Sequence, residues 1–316
     1  MSDQTNWERS VLEKLAMSAI QEQRRARRWS IFFKLLTFGY LFFILFLFLN
    51  AANKSDGSLS TGKHTALIDL NGVIAADRVA SADNLIDSLQ RAFKDKNTQG
   101  VILRINSPGG SPVQAGYVND EIRRLRAKYP NIPLYVVVED MCASGGYYIA
   151  AAADKIYVNK ASLVGSIGVL MDGFGFTGTM QKLGVERRLL TAGENKGFMD
   201  PFSPRNPKHE EFTRKMLEEI HQQFIDVVRQ GRGKRLKETR EMFSGLFWTG
   251  QKSIEMGLAD EIGTAESVAR DVIKADHIVD FTTREGFADR LAKKFGAGVA
   301  STFPGFANEV NGMVLR

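Results

Sequence analysis

The chain has 316 residues, of which 42 are Lys or Arg, 36 are Asp or Glu, and 44% are hydrophobic. This composition excludes a disordered or collagen-like protein, and the length suits one large domain or two small ones. A single cysteine excludes an internal disulfide framework and a Cys-rich zinc or iron–sulfur site. The net charge of +6 is spread along the chain without interleaved aromatic residues, so we expect no nucleic-acid partner.

One long apolar stretch lies near the amino terminus. Residues 35–49 read LLTFGYLFFILFLFL without a charge, and the mostly apolar region begins at Trp29. At about 1.5 Å per residue, the stretch from Trp29 spans about 31 Å, close to the ~30 Å hydrocarbon core of a bilayer. An arginine-rich segment, RRARR (24–28), precedes it. The positive-inside rule therefore predicts residues 1–28 in the cytoplasm and the chain after about residue 51 across the membrane.

Two other interpretations of this stretch are disfavoured. A buried helix of a soluble protein is disfavoured because the stretch has no polar face. A cleaved signal peptide has some support from the small residues Ala51 and Ala52, but the leader is long for a signal n-region. We therefore predict an uncleaved transmembrane helix over 29–50, after an amphipathic cytoplasmic segment over 1–28 and before a polar linker over 51–63.

Beyond the linker, strand and helix patterns alternate through a domain predicted over 64–283. The predicted strands are 65–70, 100–106, 133–139, 155–158, 166–171 and 277–282. The predicted helices are 81–94, 113–128, 144–153, 208–230, 237–245, 250–257 and 263–274. This alternation predicts an α/β fold of repeated, right-handed β-α-β units with a mostly parallel sheet. The remaining segment, 284–316, reads as a basic amphipathic tail.

Two of the predicted strand ends carry glycine pairs and serines. SPGGS (107–111) follows one strand, and DMCASGGYY (140–148) follows the next. Ligands and nucleophiles of parallel α/β sheets lie at the carboxyl ends of strands. Ser144 and the neighbouring glycine amides are therefore candidates for a nucleophile and an oxyanion hole. A serine that only caps the following helix explains the same pattern.

If Ser144 is a nucleophile, its base is not obvious from local motifs. Cys142 stands where a GxSxG elbow has its first glycine, and no histidine lies in a recognisable triad or metal-binding spacing. Lysine is the other base that a serine can use, and Lys196 lies in a loop near Phe198 and Phe202. The pKa of a lysine amine in water is near ~10.4, and burial among apolar groups lowers it. A loop lysine is usually only solvated, and spacing does not show that Lys196 reaches Ser144.

Several segments in combination resemble the signal peptide peptidase A (protease IV) family of membrane-bound serine peptidases: INSPGG (105–110), ASGGYYIA (143–150), LVGSIGVL (163–170) and GENK (193–196). The resemblance covers roughly 64–283 and implies a ClpP/crotonase-like fold in its short, single-domain form. It implies that Ser144 is the nucleophile, that Lys196 is the general base and that Ser166 orients the lysine. It also implies that the backbone amides of Gly110 and Gly145 form the oxyanion hole. Such short forms assemble the dyad across a subunit interface, which implies a ring-like homo-oligomer.

Together with the membrane helix, these features predict an endopeptidase of the bacterial inner membrane, with its catalytic domain on the periplasmic side. Its substrates would be residual signal peptides and other hydrophobic peptides, cleaved through an acyl-enzyme. Its partners would be these peptides, the lipid bilayer and further copies of itself, and no metal, nucleotide or organic cofactor is implied. Two alternatives remain open: a catalytically silent peptide-binding scaffold in the membrane, and a crotonase-like enzyme that binds acyl-CoA. Only the peptidase requires a reactive serine at position 144.

Overall fold

A computed structural model describes residues 2–54 and 62–284. In these ranges the helices are α1 (Ser2–Lys54), α2 (Ala82–Lys94), α3 (Pro112–Lys128), α4 (Gly145–Ala150), α5 (Thr177–Lys182), α6 (Pro207–Arg232), α7 (Gly250–Glu255) and α8 (Ala265–Ser267). A 3-10 turn follows α6 at Gly233–Arg235, and a π-helical turn follows α8 at Val268–Ile273. The strands are β1 (His64–Asn71), β2 (Thr98–Ser107), β3 (Leu134–Ala143), β4 (Lys155–Val158), β5 (Leu163–Gly165), β6 (Phe247–Thr249), β7 (Glu261–Ile262) and β8 (Ile278–Asp280).

The amino-terminal unit is the single helix α1, which continues without interruption through residue 28, the expected cytoplasmic boundary. Residues 21–28 (QEQRRARR) are all good helix formers, so nothing in this sequence ends the helix there. Within α1, Ile20–Leu47 is long and apolar enough to cross a membrane by length and composition. The predicted linker over 51–63 begins inside α1. Its residues 55–61, and the predicted tail from residue 285, lie outside the described residues.

The second unit is built around one sheet. Its eight described strands follow the order β6-β5-β3-β2-β1-β8, with β4 paired to β3 and β7 paired to β4. The pairings are parallel except for the one between β5 and β6. Strand β3 pairs with β4 through Tyr135–Val137 and with β5 through Met141–Ala143. The predicted α/β chain with a mostly parallel sheet is therefore confirmed.

Helices cover both faces of this sheet. Leu89 of α2, Ile122 of α3 and Ile149 of α4 are fully buried in one cluster with the strand residues Leu103 and Val136. The other face carries a smaller cluster that includes the α8 region: Leu67, Ile102, Val137, Tyr157, Ala265, Val268 and Ala269. Successive strand residues point to opposite faces, and burial on both faces is what a parallel sheet requires.

Two predicted elements are wrong. Residues 166–171 form no strand, and the fifth strand lies earlier, at β5. It ends because Gly165 and Ser166 take φ values of 115° and 50°, which an extended strand does not allow. Residues 237–245 form no helix: 240–245 are turns, and they lead through Gly245, with φ of 86°, towards β6.

A buried ion pair fixes the carboxyl end of α6 against the sheet. The side chain of Arg232 is fully buried and donates to both carboxylate oxygens of Asp260, each at 2.9 Å, and to the Gly257 carbonyl at 2.8 Å. Burial alone would raise the pKa of Asp260, but the hydrogen bonds from Arg232 hold it below its usual value. Asp260 also accepts from the Ile156 N–H at 2.7 Å, so this pair joins α6 to β4.

Candidate active site

Ser144 connects β3 to α4 in a strained conformation. Its φ and ψ are 51° and −122°, in a region that non-glycine residues rarely occupy and that costs about 1–3 kcal/mol. Its N–H donates to the Gly165 carbonyl at 2.9 Å, and its own carbonyl accepts from the Tyr148 N–H at 2.9 Å. The Ser144 hydroxyl makes no capping hydrogen bond to α4. By contrast, the Ser111 hydroxyl caps α3 by accepting from the Gln114 N–H, so capping does not explain Ser144.

The loop after β2 packs directly against Ser144. A Cβ on Gly109, whose φ is 102°, would lie 2.6 Å from the Ser144 Cβ. The carbonyl of Gly109 accepts from the Ile74 N–H at 2.8 Å. A Cβ on Gly110, whose φ is 149°, would lie 2.1 Å from the Ile74 carbonyl oxygen. Glycine is therefore required at Gly109 for the loop to approach the serine, and at Gly110 for the loop to pack against Ile74.

The backbone amides of Gly110 and Gly145 lie next to each other. A Cβ on Gly145 would be only 3.2 Å from the Gly110 nitrogen. In the described part of the chain, neither of these two N–H groups donates a hydrogen bond. Two free amides beside a serine hydroxyl are the donors that an oxyanion needs.

Ser166 lies on the neighbouring strand path. Ala143 pairs with Gly165 at the end of β3 and β5, so the residues that follow, Ser144 and Ser166, come side by side. Ser166 also has a positive φ, 50°, and its N–H donates to the Leu246 carbonyl at 2.8 Å. The two predicted serines therefore share one end of the sheet.

One cavity of about 980 Å³ joins these groups. Ser144, Ser166, Gly110 and Gly145 all line it. Its walls come mainly from α3 and α6, together with the segment after Ser166: Val113, Gly116, Tyr117, Asp120, Ile220, Gln223, Phe224, Gly168, Val169 and Leu170. The structure thus brings four of the five predicted site residues together.

Lys196 is not among the residues that line this cavity. Its side chain is exposed, and its N–H donates to the carbonyl of Gly193 at 3.1 Å in a turn of the same loop. The segment between β5 and α6 also exposes apolar side chains, with Leu170 80% exposed and Leu190 96% exposed. A single copy of the chain therefore presents Lys196 to solvent, outside the lining of the serine cavity.

Several further residues lie close to Ser144, Ser166 or Lys196 in the sequence. Cys142 is buried, and this burial strongly raises the pKa of its thiol, so the reactive thiolate is not available. Tyr147 is buried and donates to the Leu258 carbonyl at 2.7 Å, which removes it from the cavity. Leu170 lines the cavity, whereas Met141 and Phe198 do not.

Comparison with known proteins gives a consistent family. A model of peptidase family S49 matches residues 126–278, which include Ser144, Ser166 and Lys196 but not Gly110. A protein of Methanocaldococcus jannaschii, provisionally named a protease, is 32% identical over 241 residues, covering 73% of this chain and 75% of that protein. A protein of Enterococcus faecium, provisionally named signal peptide peptidase SppA, is 29% identical over 234 residues, covering 72% of this chain and 67% of that protein.

A further relative carries a different name. A protein of Brucella melitensis named Na(+)/H(+) antiporter NhaA is 45% identical to this chain over 182 residues. The match covers 58% of this chain but only 25% of that protein, so the chain spans about a quarter of its length. The antiporter name describes the whole of that longer protein and is not carried over to the matched segment.

Proposed function

The chain belongs to peptidase family S49, the family of signal peptide peptidase A, and from this premise we propose that it is a membrane-anchored serine endopeptidase. The observation that carries the proposal is the arrangement around Ser144. Its strained backbone presents a hydroxyl that caps no helix, next to the free N–H groups of Gly110 and Gly145 in one cavity. Strain of this kind at a cavity is a signature of functional positions. The parallel sheet covered by helices is also in keeping with the proposed ClpP/crotonase-like fold.

In the proposed reaction, the Ser144 oxygen attacks the carbonyl carbon of the scissile peptide bond while its proton passes to the neutral amine of Lys196. The oxyanion of the tetrahedral intermediate accepts hydrogen bonds from the amides of Gly110 and Gly145. The carbon–nitrogen bond then breaks, and the lysine ammonium gives its proton to the leaving amine. Water, deprotonated by the same lysine, hydrolyses the acyl-enzyme and restores the Ser144 hydroxyl. Ser166 holds the lysine amine in line by a hydrogen bond.

We place the lysine of each site on a neighbouring copy of the chain. Lys196 is exposed in one copy, and the segment between β5 and α6 that carries it exposes large apolar side chains that a subunit interface would cover. A ring-like homo-oligomer would bring the Lys196 of one copy to the Ser144 of the next. Desolvation in that interface would favour the neutral amine that a base requires.

The helix α1 supports the proposed location. Its segment Ile20–Leu47 has the length and composition of a membrane span, and the described side chains of this segment are exposed. With the arginine-rich segment 24–28 on the cytoplasmic side, the domain from residue 62 onwards would face the periplasm of a bacterial inner membrane. An anchored peptidase in this position suits substrates that remain in the membrane, such as residual signal peptides and other hydrophobic peptides.

A covalent serine probe tests the proposed nucleophile. A fluorophosphonate should label the detergent-solubilised wild-type protein at Ser144, and both labelling and hydrolysis of a Leu/Ala-rich peptide should be lost in Ser144→Ala. Lys196→Ala should lose hydrolysis to a similar extent, because nucleophile and base act as a unit. The double variant should lose little more. Substantial hydrolysis by purified Ser144→Ala would overturn the assignment.

The same experiment separates the two alternatives. A catalytically silent scaffold would bind peptides without labelling by the probe. A crotonase-like acyl-CoA enzyme would use the glycine amides without needing the Ser144 hydroxyl, so its turnover would survive Ser144→Ala. Labelling at Ser144 together with peptide hydrolysis is expected only from the peptidase.

A further inference from the structure

The cavity beside Ser144 contains a single charge. Among the described residues that line it, Asp120 is the one charged side chain, and the others are apolar, aromatic or neutral polar. Asp120 lies on α3 and is exposed to solvent. Within the described part of the chain it forms no ion pair, in contrast with its neighbour Glu121, which binds Arg124 at 2.6 Å. The carboxylate of Asp120 is therefore free to meet a ligand.

Two contacts between α3 and α4 fix the position of Asp120 along the axis of α3 relative to the start of α4, beside Ser144. At the start of α4, a Cβ on Gly145 would lie 3.5 Å from the Ala115 Cβ. One turn later, the Asn119 side-chain amide donates to the Tyr148 carbonyl at 2.7 Å. Helices α3 and α4 thus run side by side in the same direction. Asp120 lies five residues after Ala115, about 7.5 Å further along the helix axis and rather more than one turn beyond the level at which Gly145 contacts α3.

The electrostatic surroundings agree with this placement. Burial, and to a smaller extent the negative charge of Asp120, raise the pKa of the Tyr148 hydroxyl, which also lines the cavity, while the charge of Arg123 lowers this pKa by less. The nearest basic side chain on α3, Arg123, directs its Nε to the Asn119 side-chain oxygen at 2.8 Å. The negative charge at this end of the cavity is therefore not cancelled by an ion pair with Arg123.

We propose that Asp120 is a specificity-determining residue that binds a cationic group of the peptide substrate, one helical turn from the scissile bond. This inference rests on the peptidase function proposed above and names a feature of its substrates. The cation is an ammonium or guanidinium group, carried by a Lys or Arg side chain or by a free peptide amino terminus. The apolar cavity walls accommodate the aliphatic part of such a side chain, while the charged end reaches the carboxylate.

The distance sets which peptide positions can supply the cation. An extended peptide advances about 3.3 Å per residue, so two to three residues cover the rise of about 7.5 Å along α3 from the level of Gly145 to Asp120. The cation therefore belongs either to a long side chain beside the scissile bond or to a residue two or three positions away on the same side of the peptide. Substrates that combine an apolar segment with a cationic end meet both the walls and the carboxylate. The n- and h-regions of signal peptides have this composition.

The test is a set of Leu/Ala-rich peptides in which one Lys is moved through the positions on each side of the cut. For each Lys peptide, a matched peptide carries the uncharged residue Gln at the same position. A further pair of peptides has no internal Lys and differs only in having a free or an acetylated amino terminus. For the full-length wild-type protein in detergent, kcat/KM should be about threefold to fivefold higher for Lys than for Gln at one position, as expected for a solvent-exposed ion pair. In Asp120→Asn this Lys/Gln ratio should fall to about one. In Asp120→Lys, kcat/KM should be higher for a peptide with Glu at this position than for the peptide with Lys.

Asp226→Asn is the matched control, because Asp226 is an exposed carboxylate on α6 that does not line the cavity. It should keep the wild-type Lys/Gln ratio, which excludes a general effect of net charge. If acetylation of the amino terminus removes the preference and internal Lys does not create one, the bound cation is the peptide terminus. A Lys/Gln ratio near one at every position with no effect of acetylation, or a ratio unchanged in Asp120→Asn, would overturn this inference alone. Absence of any hydrolysis by the wild-type protein would instead contradict the proposed function.

Discussion

At the scale of single residues, the conformation of Ser144 needs an explanation. A glycine would adopt φ of 51° at no steric cost, yet the chain carries a serine whose hydroxyl does not cap the helix that follows. The strain is held in place by the Gly165 carbonyl, which binds the Ser144 N–H, and by Gly109, which leaves the space that the Ser144 Cβ fills. A nucleophile needs a hydroxyl that is held in the cavity and is not bonded to the helix, and this conformation provides it. A serine that only caps a helix needs no such strain.

This strain predicts that two substitutions which both remove the Ser144 hydroxyl differ in their stability. Ser144→Gly should be more stable than Ser144→Ala by about 1 kcal/mol, because glycine relieves the positive φ and alanine keeps it. The measurement is the urea midpoint of each purified variant. At Ser88, in the interior of α2, the order should be reversed, since glycine is about 1 kcal/mol less favourable than alanine inside a helix. A Ser144→Gly variant less stable than Ser144→Ala would refute the strain argument.

At the scale of elements, the site depends on the close approach of two turns. The loop after β2 and the start of α4 meet through Gly109, Gly110 and Gly145, and their contact places two free N–H groups beside the serine. A side chain on any of these glycines would push the turns apart.

Gly110→Ala should therefore lower kcat on the Leu/Ala-rich peptide by about 100-fold or more, the effect of losing one oxyanion-hole donor. The physical reason is that the new Cβ would lie 2.1 Å from the Ile74 carbonyl oxygen, so the loop must move. The comparison is Gly178→Ala in α5, where a Cβ has open space within 4 Å, and which should keep wild-type kcat. Circular dichroism of each variant checks that helix content is retained. Wild-type kcat in folded Gly110→Ala would exclude Gly110 as an oxyanion-hole donor.

Sequence patterns predicted much of this arrangement because they are local. The strand at 155–158 is found with the predicted bounds, as β4, and the glycine pairs after β2 and β3 do meet at the carboxyl end of the sheet. The strand predicted over 166–171 fails because periodicity does not report the positive φ of Ser166. The cavity walls from α3 and α6, including Asp120, were not predicted, since they depend on how distant helices pack and no local motif marks them. The roles of the site residues themselves remain predictions.

At the scale of the whole molecule, one copy of the chain does not place Lys196, the proposed base, among the residues that line the Ser144 cavity. Ser144 lines a cavity that Lys196 does not, and the segment between β5 and α6 that carries Lys196 also exposes apolar side chains such as those of Leu183 and Leu190. An assembly in which neighbouring copies exchange this loop would cover the apolar surface and complete each site. The site would then be a property of the oligomer and not of the single chain.

This assembly predicts complementation between two inactive variants. When Ser144→Ala and Lys196→Ala copies are co-expressed in equal amounts, a site is complete only where a Lys196→Ala copy supplies the serine and its neighbour, a Ser144→Ala copy, supplies the lysine. Random assembly into a ring makes about a quarter of the sites complete, so about a quarter of the wild-type kcat per chain should return. Co-expression of Ser144→Ala with the double variant should restore nothing, because no copy then carries Ser144. If the dyad formed within one chain, every site in the mixed assembly would lack one partner. Peptide hydrolysis would then stay at the level of the single variants.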